Sequence, residues 1–169
     1  MQWLPPKSGI VKLNFDGVSR GNPGKSGLGA CVRDSKGMVL AISSSPLPDG
    51  TNNLAETQAL LAGLVLLKTG NFHRVHIEGD SQMVINSCIK RKSYSWHLQY
   101  IFKQIWYLID QFSEVTISHT LREGNKVADF ISNLGCDGVA VKTHQPNSFI
   151  EQFEQLHSLI TSESCLSCS

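Results

Sequence analysis

The order in which strand-like and helix-like patterns follow one another is the feature that most constrains the fold of this chain. Strands are predicted where apolar and polar residues alternate, and helices where apolar residues recur every three or four positions. The predicted strands span residues 10–16, 30–33, 38–44, 74–79 and 114–118, and the predicted helices span 53–69, 81–90, 96–112 and 125–134. This order predicts an α/β fold: a mixed five-stranded sheet, with three antiparallel strands followed by two parallel crossovers, and helices on its faces.

The first strand has one apolar and one polar face. Leu13 and Phe15 point one way, whereas Lys12, Asn14 and Asp16 point the other. Because such a strand packs one face on a core and leaves the other in water, we predict that it is half-buried.

Glycine and proline mark the predicted loops. The glycine-rich stretch from residue 17 to residue 29 is predicted as a loop, and so is the stretch 46–50 with its two prolines. The turn-forming residues 34–37 are expected to join the second and third strands as a hairpin.

The chain divides into three predicted parts. Residues 1–8 form a lead-in or linker, residues 9–136 form one folded domain, and residues 137–169 form a C-terminal tail. Apolar residues at helical spacing predict a short amphipathic helix within the tail. These residues are Phe149, Phe153, Leu156 and Ile160.

Neither a membrane span nor a signal peptide is expected, so we predict an intracellular protein. No run approaches the roughly 18 apolar residues that a span requires, and the first residues lack the charged-then-apolar order of a signal peptide. Cys31, Cys88 and Cys136 lie in apolar segments and are predicted as reduced core residues. Cys165 and Cys168 have C-x-x-C spacing but no second ligand pair, which disfavours a zinc site.

The net charge limits how this chain can bind nucleic acid. Its 15 Lys and Arg against 14 Asp and Glu give a formal charge of +1 at pH 7. A protein that holds nucleic acid by bulk electrostatics is usually more basic, so any such binding is expected to be local and weak.

Four acidic residues lie where strands end or helices begin: Asp16, Glu56, Asp80 and Asp129. Three have an alternative role, since Glu56 has capping-box spacing from Asn53, Asp80 lies at an expected N-cap, and Asp129 complements a helix dipole. If folding gathers all four, their repulsion raises their pKa values unless divalent cations neutralise them. Oxygen ligands without His or Cys favour Mg²⁺ or Mn²⁺, and two such ions about 4 Å apart serve in-line phosphodiester cleavage.

Four sequence blocks surround these carboxylates in one order. Residues 16–24 read Asp-Gly followed by a Gly-Asn-Pro-Gly turn, and residues 51–56 place two asparagines before the glutamate. Residues 79–84 contain Asp-Ser followed closely by valine, and residues 119–129 place a histidine ten residues before an aspartate. Together the blocks resemble type 1 ribonuclease H over about residues 9–135. The fourth block and the lead-in are most similar to plant ribonuclease H-like domains associated with non-LTR retrotransposons.

This resemblance implies a set of site residues. The family's metal-binding carboxylates fall on Asp16, Glu56, Asp80 and Asp129, with Asp16 shared between two Mg²⁺ ions, or Mn²⁺ in their place. The family's mobile histidine, which assists proton transfer or product release, falls on His119. The positions that match contacts to the hybrid are Ser19, Asn22, Asn52, Asn53 and Gln82, and those that match a phosphate contact to the DNA strand are Thr51 and Asn125.

The implied function is a metal-dependent endoribonuclease that hydrolyses the RNA strand of RNA–DNA hybrids. Only residues 90–92 stand where several relatives carry a long basic protrusion, so we expect a monomer that binds weakly and is tethered to a nucleic-acid-binding or reverse transcriptase domain. The alternative is a domesticated, weakly active or inactive module that binds nucleic acid or protein. A 3′–5′ exonuclease is disfavoured, because Gly17 and Val18 follow Asp16 where that class carries Asp-x-Glu.

Overall fold

The structure, a computed structural model, describes residues 2–166 of the chain, with side chains through residue 164. Its strands are β1 (Val11–Arg20), β2 (Gly24–Arg33), β3 (Val39–Gly50), β4 (Arg74–Gly79), β5 (Glu114–His119) and β6 (Val141–Thr143). Its helices are α1 (Asn52–Thr69), α2 (Gln82–Lys90), α3 (Gln99–Ile109), α4 (Lys126–Cys136), α5 (Asn147–Glu151) and α6 (Glu154–Leu166). Short 3₁₀ turns precede α3 (Trp96–Leu98) and α4 (Arg122–Gly124).

The strands form one mixed sheet in the order β5-β4-β1-β2-β3-β6. β1, β2 and β3 are antiparallel neighbours, whereas β4 runs parallel to both β1 and β5. The predicted fold class is confirmed, but the sheet has six strands where five are predicted. The additional strand, β6, pairs antiparallel with residues 42–44 of β3 and is too short for its own periodicity to reveal it.

The two stretches predicted as loops from glycine and proline are largely strand, and this prediction is wrong. β1 continues to Arg20, β2 begins at Gly24, and β3 continues to Gly50. The glycines of β2 serve close packing, because a Cβ on Gly29 would overlap the backbone of α4 at Ser132. Both prolines of β3 lie beyond the residues that pair with β6, on an edge where a missing N–H is tolerated.

Each face of the sheet carries an apolar core. On one face, side chains of β1, β2 and β4 pack against α1, α2 and α3. On the other face, Cys31 and Ile42 of the sheet pack against α4, and Phe149 of α5 and Leu156 of α6 join them. The predicted amphipathic segment is therefore helical in two pieces and docks on the sheet, while the domain boundary at residue 136 stays a prediction.

The polar face of β1 is buried, whereas the alternating pattern predicts that it contacts water. Lys12, Asn14 and Asp16 are 3%, 0% and 6% exposed. The N-terminal segment covers part of this face, since Trp3 is 3% exposed and its Nε1 donates a hydrogen bond to Asn14 Oδ1 (2.9 Å). Lys12 Nζ donates to the Leu4 carbonyl (2.6 Å), so the predicted lead-in is packed against the fold.

Cys31, Cys88 and Cys136 are buried free thiols, as predicted. Burial raises the pKa of Cys31 to about 11, so this thiol stays protonated and unreactive at neutral pH. The side chains of Cys165 and Cys168 lie outside the described residues. Among residues 2–166, no helix combines the length and the apolar character needed to cross a membrane.

Replacing Gly29 with alanine tests the contact between β2 and α4. The added methyl group has no room against the α4 backbone, so we expect Gly29→Ala to lower the free energy of unfolding by about 3 kcal/mol. Urea denaturation followed by circular dichroism measures this loss. Lys25→Ala, at an exposed position of the same strand, is the control and should change stability by less than about 0.5 kcal/mol. Equal midpoints for the two variants would contradict the packing argument.

Candidate active site

Three carboxylates from three elements converge where β4 ends beside the middle of β1. Asp16 lies in β1, Glu56 in α1, and Asp80 directly after β4. Because β1 and β4 are parallel neighbours with Phe15 opposite Gly79, the residues that follow this pair, Asp16 and Asp80, lie side by side. One carboxylate oxygen from each of the three residues lies within 4.8 Å of the others. This arrangement can hold a cation.

The start of α1 brings Glu56 to this cluster. Gly17, next to Asp16, lies against the α1 backbone, and a Cβ at this position would overlap Ala55. The helix is capped by Thr51, whose hydroxyl accepts from the Leu54 N–H (3.2 Å), so the capping-box alternative for Glu56 is wrong. Glu56 Oε2 is buried without a hydrogen-bond partner among the described residues. Such an orphaned oxygen fits a missing cation.

A capping role for Asp80 is also ruled out. The N-cap of α2 is Ser81, whose hydroxyl accepts from the Val84 N–H (3.4 Å). Asp80 Oδ1 instead accepts from Asn125 Nδ2 (3.4 Å). Its carboxylate therefore remains directed towards the cluster.

Asp129 lies at the rim of the same site. It is in the first turn of α4 and lines, with the three carboxylates, a groove of roughly 440 Å³. It is not a member of the close three-carboxylate cluster, although its charge acts on Asp16. His119 lines the groove as an exposed side chain, with Nε2 3.2 Å from the Asp80 carbonyl oxygen. The predicted acidic residues and the histidine thus share one groove.

Ser132 is a site residue that the sequence patterns miss. Its hydroxyl donates to Asp16 Oδ2 (3.1 Å) and is fully buried. Helical spacing could have predicted this role, because Ser132 lies three residues after Asp129 and therefore on the same face of α4.

The residues predicted to contact a hybrid at the end of β1, in the β1–β2 turn and at the start of α1 form a connected group beside the groove. Asn52 Oδ1 accepts from the Ser19 N–H (2.9 Å), and Asn22 Oδ1 accepts from the Asn52 N–H (3.0 Å). The Ser19 hydroxyl is used internally, since it donates to the Gly50 carbonyl (2.6 Å). Asn52 and Asn53 are exposed and line the groove, so they are placed to meet a ligand.

The other three predicted contact residues differ in their surroundings. Thr51 is exposed at the start of α1, and Gln82 is exposed with its amide donating to Asn86 Oδ1 (3.0 Å). Asn125 is 1% exposed, and its amide donates to the Phe15 carbonyl (3.0 Å) as well as to Asp80. Its burial does not fit the predicted phosphate contact, because the whole side chain is used inside the protein.

The electrostatics of the cluster also fit a cation. Burial raises the pKa of Asp16, a hydrogen bond with Glu56 lowers it in part, and the charges of Asp80 and Asp129 raise it again. Burial likewise raises the pKa of Glu56, with the neighbouring Asp16 as the next cause, and burial raises that of Asp80. No ion pair joins Asp16, Glu56, Asp80 or Asp129 to a basic residue within the described part of the chain. An all-oxygen ligand set of this kind suits Mg²⁺ or Mn²⁺.

The chain matches one family in sequence. The family model described as Reverse transcriptase-like matches residues 14–135. Ribonuclease HI of Halobacterium salinarum is 31% identical over 138 residues, which cover 79% of this chain and 67% of that protein. An Arabidopsis thaliana protein, provisionally named a ribonuclease H protein, is 30% identical over 131 residues, which cover 78% of this chain but only 21% of that protein.

Solved structures agree with the sequence match. RNase H1 of Halobacterium salinarum superposes with a TM-score of 0.72 at 30% identity, covering 76% of this chain and 98% of that chain. LC11 RNase H1, solved in complex with an RNA/DNA hybrid, superposes with a TM-score of 0.69 at 29% identity, covering 75% of this chain and 96% of that chain.

The raised pKa of Asp16 predicts how the stability of the metal-free protein depends on pH. Its pKa rises from 3.8 to about 7 in the fold, so its contribution to stability is fully present below pH 3.8 and is lost as the pH rises through 7. In EDTA, the free energy of unfolding of the wild type should therefore fall between pH 5 and pH 8 by about 1–3 kcal/mol more than that of Asp16→Asn. Parallel pH profiles in urea denaturation would contradict this.

Proposed function

The chain belongs to the type 1 ribonuclease H family, and from that premise we propose that it is a metal-dependent endoribonuclease that hydrolyses the RNA strand of RNA–DNA hybrids. The observation that carries the proposal is the convergence of Asp16, Glu56 and Asp80, with one oxygen from each within 4.8 Å of the others. The hybrid bound by LC11 RNase H1 supports the choice of substrate.

The proposed cofactor is a pair of Mg²⁺ ions, with Mn²⁺ as a substitute. Asp16, Glu56, Asp80 and Asp129 are the residues that would hold them, and the orphaned Oε2 of Glu56 supports this assignment. When bound, the ions activate a water molecule and stabilise charge on the attacked phosphate and the leaving oxygen.

The protein's own residues orient the carboxylates and handle protons. Ser132 donates to Asp16 and Asn125 donates to Asp80, so two of the carboxylates are held before any ligand arrives. His119 is exposed at the groove, next to Asp80, where an imidazole can pass a proton between the reacting groups and water.

Recognition of the hybrid is proposed to rest on uncharged amides. Asn52 and Asn53 line the groove beside the carboxylates, and Asn22 is linked to Asn52 through a hydrogen bond. Amide groups can donate to or accept from a ribose 2′-hydroxyl, which distinguishes RNA from DNA. Gln82, exposed two residues after Asp80, belongs to the same proposed set, and Thr51, exposed at the start of α1, is proposed to contact a phosphate of the DNA strand.

We propose that another domain supplies most of the affinity for nucleic acid. The chain carries a formal charge of only +1, and residues 90–92 are a short basic run. A nucleic-acid-binding or reverse transcriptase domain in the same polypeptide would raise the local concentration of hybrid. A plant, retrotransposon-derived origin is part of this proposal, and an Arabidopsis thaliana protein is among the relatives that this chain matches. A monomeric state and an intracellular location stay predictions.

The proposed activity predicts that Asp16→Asn abolishes cleavage without unfolding the protein. Losing this buried carboxylate removes charge that the reaction needs, so we expect the rate on a labelled RNA–DNA hybrid with Mg²⁺ or Mn²⁺ to fall by at least roughly 100-fold. Asp110→Asn is the matched control. Asp110 follows α3, lies outside the groove and forms an exposed ion pair with Arg91. It should cleave at the wild-type rate.

The same assay separates the enzyme from the weakly active binding module. If the wild type shifts the hybrid in a gel but yields no cleavage products with Mg²⁺ or with Mn²⁺, the result would favour the binding module and overturn the proposed activity. Cleavage of single-stranded RNA at the same rate as the hybrid would overturn the proposed substrate.

A role of His119 in proton transfer or product release predicts a loss of turnover with little loss of binding. We expect His119→Ala to lower kcat by roughly 10- to 100-fold while KM changes by less than about threefold. His157→Ala, an exposed histidine of α6, is the control. Wild-type kcat for His119→Ala would assign the histidine no part in the reaction.

A further inference from the structure

A buried line of hydrogen bonds connects the candidate metal ligand Asp80 to the N-terminal segment. Asn125 Nδ2 donates to Asp80 Oδ1 (3.4 Å) and to the Phe15 carbonyl (3.0 Å). Asn125 Oδ1 in turn accepts from Asn14 Nδ2 (3.2 Å). Asn125 is 1% exposed and Asn14 is 0% exposed, so both amides must find their partners within the protein.

Asn14 uses the full hydrogen-bonding capacity of its amide. Its oxygen accepts from Trp3 Nε1 (2.9 Å) and from an Arg33 guanidinium nitrogen (3.3 Å). Its nitrogen donates to Glu78 Oε1 (3.0 Å) and to Asn125. An amide with four satisfied partners has one orientation, because a flip would place donor against donor and acceptor against acceptor.

The far end of this line is anchored by paired charges. Arg33 forms a buried ion pair with Glu163 of α6, and its guanidinium lies 3.9 Å from the centre of the Trp3 ring. Lys12 and Glu78 form a second buried pair at 3.0 Å. Two positive and two negative side chains balance here, so no net charge remains for a ligand to neutralise, although Arg33 Nε is buried without a hydrogen-bond partner among the described residues.

The other end of the line is not balanced. Asp80 faces Asp16 and Glu56, and like charges at this distance favour turning the carboxylate away. The donated hydrogen bond from Asn125 opposes that rotation. A ligand held in place before the cation arrives binds it with less loss of entropy.

We infer that Asn125 is a positioning residue for Asp80 and that Asn14 couples this positioning to the docking of Trp3. The inference rests on the proposed function for its choice of metal. It assigns Asn125 a role within the protein in place of the phosphate contact, and it makes the N-terminal segment part of what shapes the site.

Metal affinity distinguishes positioning from simple structural support. We expect Asn125→Ala, in the full 169-residue chain, to weaken Mn²⁺ binding by about tenfold in isothermal titration calorimetry, the usual scale for loss of a group that orients a metal ligand. A higher Mn²⁺ concentration should then restore cleavage by Asn125→Ala but not by Asp16→Asn. Asn86→Ala is the matched control, because the Asn86 side chain accepts a hydrogen bond from Gln82 on α2 and does not line the groove, and it should bind Mn²⁺ like the wild type.

Trp3→Phe tests the coupling from the remote end and replaces Asn125→Ala if that variant fails to fold. Phenylalanine keeps a ring beside Arg33 but removes the Nε1–H that donates to Asn14. We expect Mn²⁺ affinity to fall by about threefold with the fold intact by circular dichroism. Wild-type affinity in Trp3→Phe would overturn the coupling, and wild-type affinity in a folded Asn125→Ala would overturn the positioning role.

The calorimetric readout separates this inference from the proposed function. A wild type that binds Mn²⁺ but cleaves no hybrid overturns the proposed activity, while the variants still decide the positioning role. A wild type that binds no Mn²⁺ overturns the positioning role together with the metal site.

Discussion

The burial of the polar face of β1 is the constraint on which the rest of the structure depends. Buried polar groups are tolerated where hydrogen bonds or opposite charges compensate them. Along β1 this compensation changes from residue to residue: Lys12 is paired with Glu78, Asn14 has a complete set of partners, and Asp16 faces further carboxylates. The fold therefore concentrates uncompensated negative charge around Asp16, in the middle of β1.

That uneven compensation gives a physical reason for a cation at this place. Burial and the charges of neighbouring carboxylates raise the pKa values of Asp16 and Glu56, and one oxygen of Glu56 has no partner among the described residues. A divalent ion would supply the missing charge and the missing partner together. Binding of a cation to these side chains is therefore expected also to stabilise the folded protein.

Local patterns predict those parts of the fold that their own residues decide. β4 has the bounds predicted for it, and because Asp80 follows it while Asp16 lies on its parallel neighbour, strand order alone brings two carboxylates together. Tertiary contacts decide the rest. The glycines between residues 17 and 29 look like loop residues, but α1 and α4 need them for close packing on strands. The burial of Asn14 and Asn125 could not be predicted from local sequence patterns either, because these two partners are 111 positions apart in the chain.

Arg33 brings together two segments from opposite ends of the described chain. It stacks on Trp3 from the N-terminal segment and pairs with Glu163 of α6, so residues 160 positions apart in sequence meet at one side chain. Proteins tolerate circular permutation and insertion into a host protein when the first and last segments of the domain lie close together. A short peptide bridging these two segments, with a new opening in the exposed loop after α2 at residues 91–92, would preserve the sheet order and the groove.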